Sequence, residues 1–350
     1  MFSGALTQQM HDLLIANSKF EPLDILVSQL DRSSIKQTIA WKHEIIKRIE
    51  VDPTTGKEHE VVVGPFCRWL FIDSGAFSVH TGKAKCTTDE YIEFLNSIDD
   101  DIDVFAQLDT IPGHLGKPKT PEDYAESAKK SWDNFLYMRK HVRSPHKLMP
   151  VFHFGESMDV LRFMLEWKDE NGQQLDYIGL SPANDVSVAT KDIYLQECAD
   201  IIAASSNPNV KTHLYGYTAL SGLSKLPCYS ADSISHRQIA GYAKILSRNF
   251  GVISVSKRPR SVASKSNLSF LETADEYNLS VLENELADLG FKLNDILDEV
   301  PEDYERIASP SAVRVAVNML NIQHLIQTRY KYDPNRVKRP LRLFNLPQEV

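Results

Sequence analysis

The chain has 350 residues, of which 42% are hydrophobic and 25% charged, with a net charge of -8. This is ordinary globular composition, enough for one large domain or a large and a small one, and it excludes a disordered chain. The acidic balance argues against a protein that coats nucleic acid indiscriminately, while leaving room for a local basic groove.

In chain order, an amphipathic helix fits residues 4–17. IKRIEV and HEVVVG, either side of DPTTGKE, form a two-stranded ribbon with a Gly-containing turn. From residue 65 the chain settles into alternating strands and helices. Strand candidates are RWLFID, DVFAQLD, KLMPVFHF, DYIGLS, VKTHLYG and CYSAD, with ISVSK a seventh. Between them, Thr88 is expected to cap a helix over DEYIEFLNSI. Thr120 caps another, with Pro121 at its first position and acids in its first turn. Further helices fit SMDVLRFMLEW, KDIYLQECADIIAA and HRQIAGYAKILSR, and the chain after residue 268 reads as helical.

Units of 30–45 residues with this alternation predict a parallel sheet covered by helices. No GxGxxG and no GxxxxGK(S/T) is present, which removes the main support for nucleotide-loop folds. Strand after strand instead ends in a polar or functional residue: Asp73, Asp109, His153, Ser181, Tyr215–Gly216, Asp232. A closed barrel would bring all these ends to one mouth. The expected fold is therefore an α/β, TIM-like (β/α)8 barrel over residues 65–267. Residues 1–64 form an N-terminal extension of helix and β-ribbon, and 268–350 a helical C-terminal region with a basic tail, packed on the barrel.

Each aspartate has an everyday alternative. Asp109 precedes the turn Thr-Ile-Pro-Gly, Asp232 could cap a helix starting near 236, and Asp73 could bond the Ser-Gly backbone. Together, three carboxylates ending apolar runs and aimed into one cavity suit chemistry at an anomeric carbon. One attacks or stabilises the oxocarbenium-like centre and another handles the leaving-group proton. Phe77, Tyr215 and Tyr217 supply flat faces, and small residues such as Ala76, Gly155, Gly179 and Gly216 admit a planar ligand, the arrangement that holds an extruded nucleobase. Each aromatic taken alone fits core packing equally well.

The four cysteines lie far apart, which predicts reduced thiols in a cytoplasmic protein. No apolar run approaches the roughly 20 residues of a membrane span, and the opening MFSGALTQQMHDLL lacks the pattern of a signal peptide. His236, without ligand partners, reads as a helix residue. Two basic clusters occupy the last third. Lys257, Arg258, Arg260 and Lys265 form one, and the tail, with Lys338 and Arg339, forms the other. Either fits a solvated loop; the two together fit a phosphate-binding rim.

These segments resemble the tRNA-guanine transglycosylase superfamily, above all its DNA-modifying branch, which installs 7-deazaguanine bases. FIDSGAFS is similar to the family's DSGGFQ segment, FAQLDTIP to its second aspartate strand, VFHFGES to IVQGG, DYIGLSPAND to GGLAVGE and THLYGY to LMGVG. CYSADSISH falls where the nucleophile strand lies. The resemblance covers roughly residues 65–240. It implies Asp232 as the nucleophile at C1′ and Asp73 as general acid/base, with Asp109 reading the guanine edge. Phe77 and Tyr215 would stack on the base, and Ser74 and Gly75, with the backbone at Gly179, Leu180 and Gly216, would line its pocket. His153 stands where the family usually has glutamine. The zinc-binding cysteines of the tRNA enzymes have no counterpart after Cys228, which points to the DNA branch. The implied partners are DNA and a free 7-deazaguanine base, with no metal or redox cofactor and no membrane.

Overall fold

The computed structural model describes residues 1–113, 117–183, 186–219, 223, 226, 228–256 and 269–329. Among these the chain is a mixed α/β protein built on parallel sheets. One sheet of five strands runs in the order β1 (Phe2–Ser3), β2 (Leu23–Ser28), β5 (Cys67–Asp73), β6 (Val104–Ala106), β7 (Leu148–Met149). A second, of four, runs β11 (Ser230–Ala231), β10 (Lys211–Leu214), β9 (Tyr177–Ser181), β8 (Val151–His153). β3 (Ile46–Val51) and β4 (Glu58–Gly64) form the expected antiparallel ribbon.

Proline explains where the two sheets meet. Pro150 separates β7 from β8 and has no N–H for a ladder. Its carbonyl still accepts from Gly179 N–H (2.8 Å), and the neighbouring Met149 carbonyl accepts from Gln107 N–H (3.0 Å). Residues 148–153 therefore pair with β6 on one side and β9 on the other. At the other ends, Phe2 forms a parallel bridge to Ser233, and Ser3 N–H donates to the Ser233 carbonyl (3.2 Å).

Side-chain alternation sorts the strands into two layers. On β5, Leu70 and Ile72 join the large outer core under the helices, whereas Trp69 and Phe71 face an inner cluster with Leu26, Val104, Ala106, Met149, Val151 and Tyr177. The same period sends Ile178 and Leu180 outward on β9.

The connecting helices start where local chemistry dictates. Thr120 caps α5 (Pro121–His141) in a reciprocal capping box with Asp123. The cap of α4 (Thr88–Ser97) is Thr87, one residue before the expected one, because Thr87 and Glu90 close a box across that turn. Other helices include α1 (Gln8–Ile15), α2 (Arg32–His43), α3 (Ala76–His80), α6 (Met158–Glu166) and α7 (Val188–Ala204).

Two expectations change. Residues 1–64 contribute β1 and β2 to the main sheet, so they are not simply an extension. The helix expected over HRQIAGYAKILSR ends at Gly241. Ala243 takes a positive φ of 49°, and Lys244–Ser247 pairs antiparallel with Gly251–Ser254, so of the expected ISVSK strand Ile253 and Ser254 belong to a hairpin. The helix Pro310–Arg329 packs on this region: Asn318 bridges the His236 carbonyl and the Leu246 N–H, and Asn321 bonds buried Glu285. No helix among the described residues is long and apolar enough to cross a membrane.

Candidate active site

The strand ends converge on a cleft of about 260 Å³, close to the lower end of small-ligand pockets (roughly 300 Å³). Asp73, Asp109 and Asp232 all line it, with Ser74, Ala76, Phe77, Ser181, Tyr215 and Gly216. Asp73 ends β5, and Asp232 follows β11 directly.

The turn after Asp73 needs its glycine. Gly75 adopts φ 71°, and a Cβ there would lie 2.7 Å from Leu30 Cδ1 and 2.9 Å from Ser28 Oγ. Gly75 N–H donates to Asp73 Oδ2 (3.0 Å), so the turn hydrogen bond exists alongside the cleft position. Burial, then the negative charges of Asp109 and Asp232, push the Asp73 carboxyl up to about 7, with the Gly75 N–H opposing.

Asp109 is held from two sides. Ser74 Oγ donates to its Oδ1 (2.8 Å) and His153 Nε2 lies 2.7 Å from its Oδ2. Burial alone would raise this carboxyl, but His153 and Ser74 hold it below the usual range. Although burial disfavours its charge, the His153 ring is pushed up to about 10 by hydrogen bonds and charges from Asp109 and Glu156. His153 Nδ1 stands 3.1 Å from Glu156 Oε1. His153 therefore backs Asp109 and does not line the cleft.

Asp232 is 8% exposed. Ser3 Oγ donates to its Oδ2, and Gly216 N–H donates to its Oδ1 (2.9 Å). It caps no helix: the next one, Ser235–Gly241, begins after Ile234. His213 Nε2 lies 3.3 Å from Oδ1 without the alignment of a hydrogen bond. Desolvation holds His213 below its ordinary value, and its Nδ1 lies 2.6 Å from Ser230 Oγ. Burial would raise Asp232; His213, Ser3 and Gly216 together keep it below the usual carboxylate range.

Of the flat faces, Phe77 stands on the rim, 59% exposed, and Tyr215 lines the wall with its hydroxyl shielded and, among the described residues, without a hydrogen-bond partner. Tyr217 is buried instead, its hydroxyl donating to Asp192. Gly179 serves Tyr215: a Cβ there would lie 2.8 Å from Tyr215 Cε2. Neither Gly179 nor Leu180 lines the cleft; the Leu180 side chain is on the helix side, and its carbonyl accepts from Tyr215 N–H (3.0 Å). Ser181, one of the expected strand ends, lines the cleft together with Pro182. His236 is a buried helix residue, held down to about 3 chiefly by desolvation.

Ser3, Glu156 and His213 were not expected at the site. Glu156 carries a sequence signal, three residues after His153 across a glycine turn. His213 sits two residues before Tyr215 and so shares its strand face. Ser3 has no local signal. Lys257, Arg258, Arg260, Lys265, Lys338 and Arg339 lie outside the described residues. The four cysteines are free thiols, and among the described residues no group of three or more His, Cys, Asp or Glu is arranged to hold a metal ion. No protein-family model matches the chain, and no curated protein matches it significantly.

Proposed function

We propose that this protein is a base-exchange enzyme acting on DNA, replacing guanine by a 7-deazaguanine derivative through a covalent aspartyl-nucleoside intermediate. One observation carries the reading: three carboxylates, Asp232 buried and Asp73 and Asp109 half-buried, share a small cleft whose surroundings push them in different directions. Asp73 is pushed up to about 7, while Asp109 and Asp232 are held below the ordinary range. Carboxylates pushed apart in this way divide acid and nucleophile roles.

In the proposed reaction Asp232 attacks C1′ and the glycosidic bond breaks. Asp73 donates its proton to the departing guanine. The incoming base loses a proton to Asp73 as its nitrogen displaces Asp232 from C1′, and the enzyme returns to its starting state. Asp109 accepts hydrogen bonds from the base edge, with Phe77 and Tyr215 beside its faces. The choice of DNA over tRNA rests on the sequence, where no cysteine follows Cys228 to build the zinc site of the tRNA enzymes.

The same reading takes the parallel strands as a TIM-like barrel. Pro150 splitting one strand between the two sheets, and the Phe2–Ser233 bridge between their other ends, support closure around eight strands. Active sites of such barrels lie at the C-terminal strand ends, where this cleft is. Incubating duplex DNA and tRNA in parallel with the protein and a 7-deazaguanine base, followed by nucleoside mass spectrometry, tests the assignment. Modified deoxynucleoside is expected from DNA alone. Incorporation into tRNA alone would reassign the substrate, and release of free guanine without incorporation would make the protein a hydrolase.

A further inference from the structure

The residues behind Asp109 go beyond the expected constellation. His153 has a carboxylate at each ring nitrogen: Asp109 Oδ2 2.7 Å from Nε2 and Glu156 Oε1 3.1 Å from Nδ1. Glu156 is pinned by the turn itself, its Oε2 accepting from His153 N–H (3.1 Å) while its own N–H donates to the His153 carbonyl (3.2 Å). Gly155 permits that turn. Its φ is 93°, and a Cβ would lie 2.4 Å from the Tyr124 ring of α5.

A neutral imidazole can donate from only one nitrogen. Between two carboxylates it would turn a lone pair on one of them, unless that carboxyl took up the proton. Two ionised carboxylates with an imidazolium between them satisfy both contacts. The side chains of Glu156 and His153 are 1% and 8% exposed, so water screens this arrangement little.

The other polar groups packed around the trio do not displace it. Ser74 at the end of β5 donates to the second Asp109 oxygen. Tyr91 of α4 and Tyr194 of α7 give their hydroxyls to the Ala106 and Phe152 carbonyls. Across the cleft, the negative charge of Asp109 is one of the causes that raise Asp73.

We infer that Glu156, acting through His153, is a positioning residue that keeps Asp109 ionised and fixed towards the cleft, so that the site selects a base edge offering two N–H donors. An ionised carboxylate only accepts, and Asp109 already receives one donor on each oxygen, so its remaining lone pairs are directed to the ligand. The inference rests on the base-binding reading above and adds the device that sets its specificity. It also ties Asp109 to Asp73, because the charge kept on Asp109 is what helps keep Asp73 protonated.

The test is equilibrium binding of free guanine and hypoxanthine to the full chain and to its His153→Gln and Glu156→Gln variants, between about pH 5 and pH 8. Hypoxanthine lacks the amino donor. Wild type is expected to prefer guanine by at least about tenfold, the range of one hydrogen bond to a charged group, with little pH dependence. His153→Gln removes the cation, so burial raises Asp109. Guanine affinity is expected to fall about tenfold at neutral pH, and further as the pH is lowered. A purely structural defect would lower affinity equally at every pH. Wild-type affinity and pH profile in both variants would overturn the inference and leave the base-binding reading intact. No purine binding by wild type would overturn both.

Ring ¹⁵N NMR of wild type guards against variants that fail to fold. The His153 ring is expected to remain doubly protonated beyond about pH 8; a transition near its unperturbed value of about 6.5 would overturn the inference by itself.

Discussion

Asp73 and Asp232 are both carboxylates at the end of inner strand faces, yet their surroundings send them in opposite directions. Asp232 receives the Ser3 hydroxyl and the Gly216 N–H, whereas Asp73 receives one backbone N–H and faces two negative charges. The contrast makes the general acid visible in a pH profile. Base release requires protonated Asp73, so its rate should decline as pH rises through about 7, and Asp73→Asn should abolish the step at every pH. The same shift has a sign for stability. The folded carboxyl holds its proton to about 7 while the unfolded one releases it near 3.8, so stability falls across that window as pH rises. Asp73→Asn should therefore stabilise the fold more at pH 8 than at pH 4, by on the order of 1–3 kcal/mol in urea titrations. Ser3→Ala removes a donor from the proposed nucleophile and should lower the rate of adduct formation about tenfold or more, while leaving affinity for free base unchanged. Equal losses in both would make Ser3 a structural residue. The three aspartates were legible because each ends an apolar run. Ser3 was not, because its contact with Asp232 spans 229 residues of sequence.

At the scale of elements, the turn between β5 and α3 decides whether Asp73 reaches the cleft. Gly75 combines a left-handed backbone with a Cβ position already occupied by Leu30 and Ser28. Gly75→Ala should cost about 1–3 kcal/mol of stability, read by chemical denaturation, and should lower activity by more than that loss explains. A variant of wild-type stability would contradict this account of the turn. Sequence patterns located such elements unevenly. Capping chemistry is local, so Thr120 with Pro121 gave the start of α5, and the cap of α4 was missed by one residue between two threonines. The stretch AKILS illustrates the opposite case. Its apolar residues suit helix and strand alike over so short a run, and the choice falls to the positive φ of Ala243 and the pairing with Gly251–Ser254. Along the strand that carries Leu180, alternation turns the Leu180 side chain to the helix side while Gly179 faces inward beneath Tyr215.

Across the whole molecule, segments far apart in sequence complete one cleft. β1 is only two residues long and β2 lies before the ribbon, so neither carried a periodic signal strong enough to separate it from an N-terminal extension. Both nevertheless flank the inner cluster that supports the site, and Ser3 reaches the carboxylate on which the proposed chemistry depends. The C-terminal helices brace the hairpin after the site through buried Asn318, Asn321 and Glu285. Their removal is thus expected to destabilise the whole fold; a truncation ending before residue 269 should lose cooperative unfolding. The central claim is that Asp232 carries the nucleoside covalently during base exchange. Its most direct test is denaturing electrophoresis of the protein mixed with guanine-containing DNA, in the presence and absence of a 7-deazaguanine base, for wild type and Asp232→Asn. A covalent protein–DNA species that forms with wild type, is consumed when the base is added and never forms with Asp232→Asn is the predicted result. Modified DNA produced by Asp232→Asn at the wild-type rate would contradict the account.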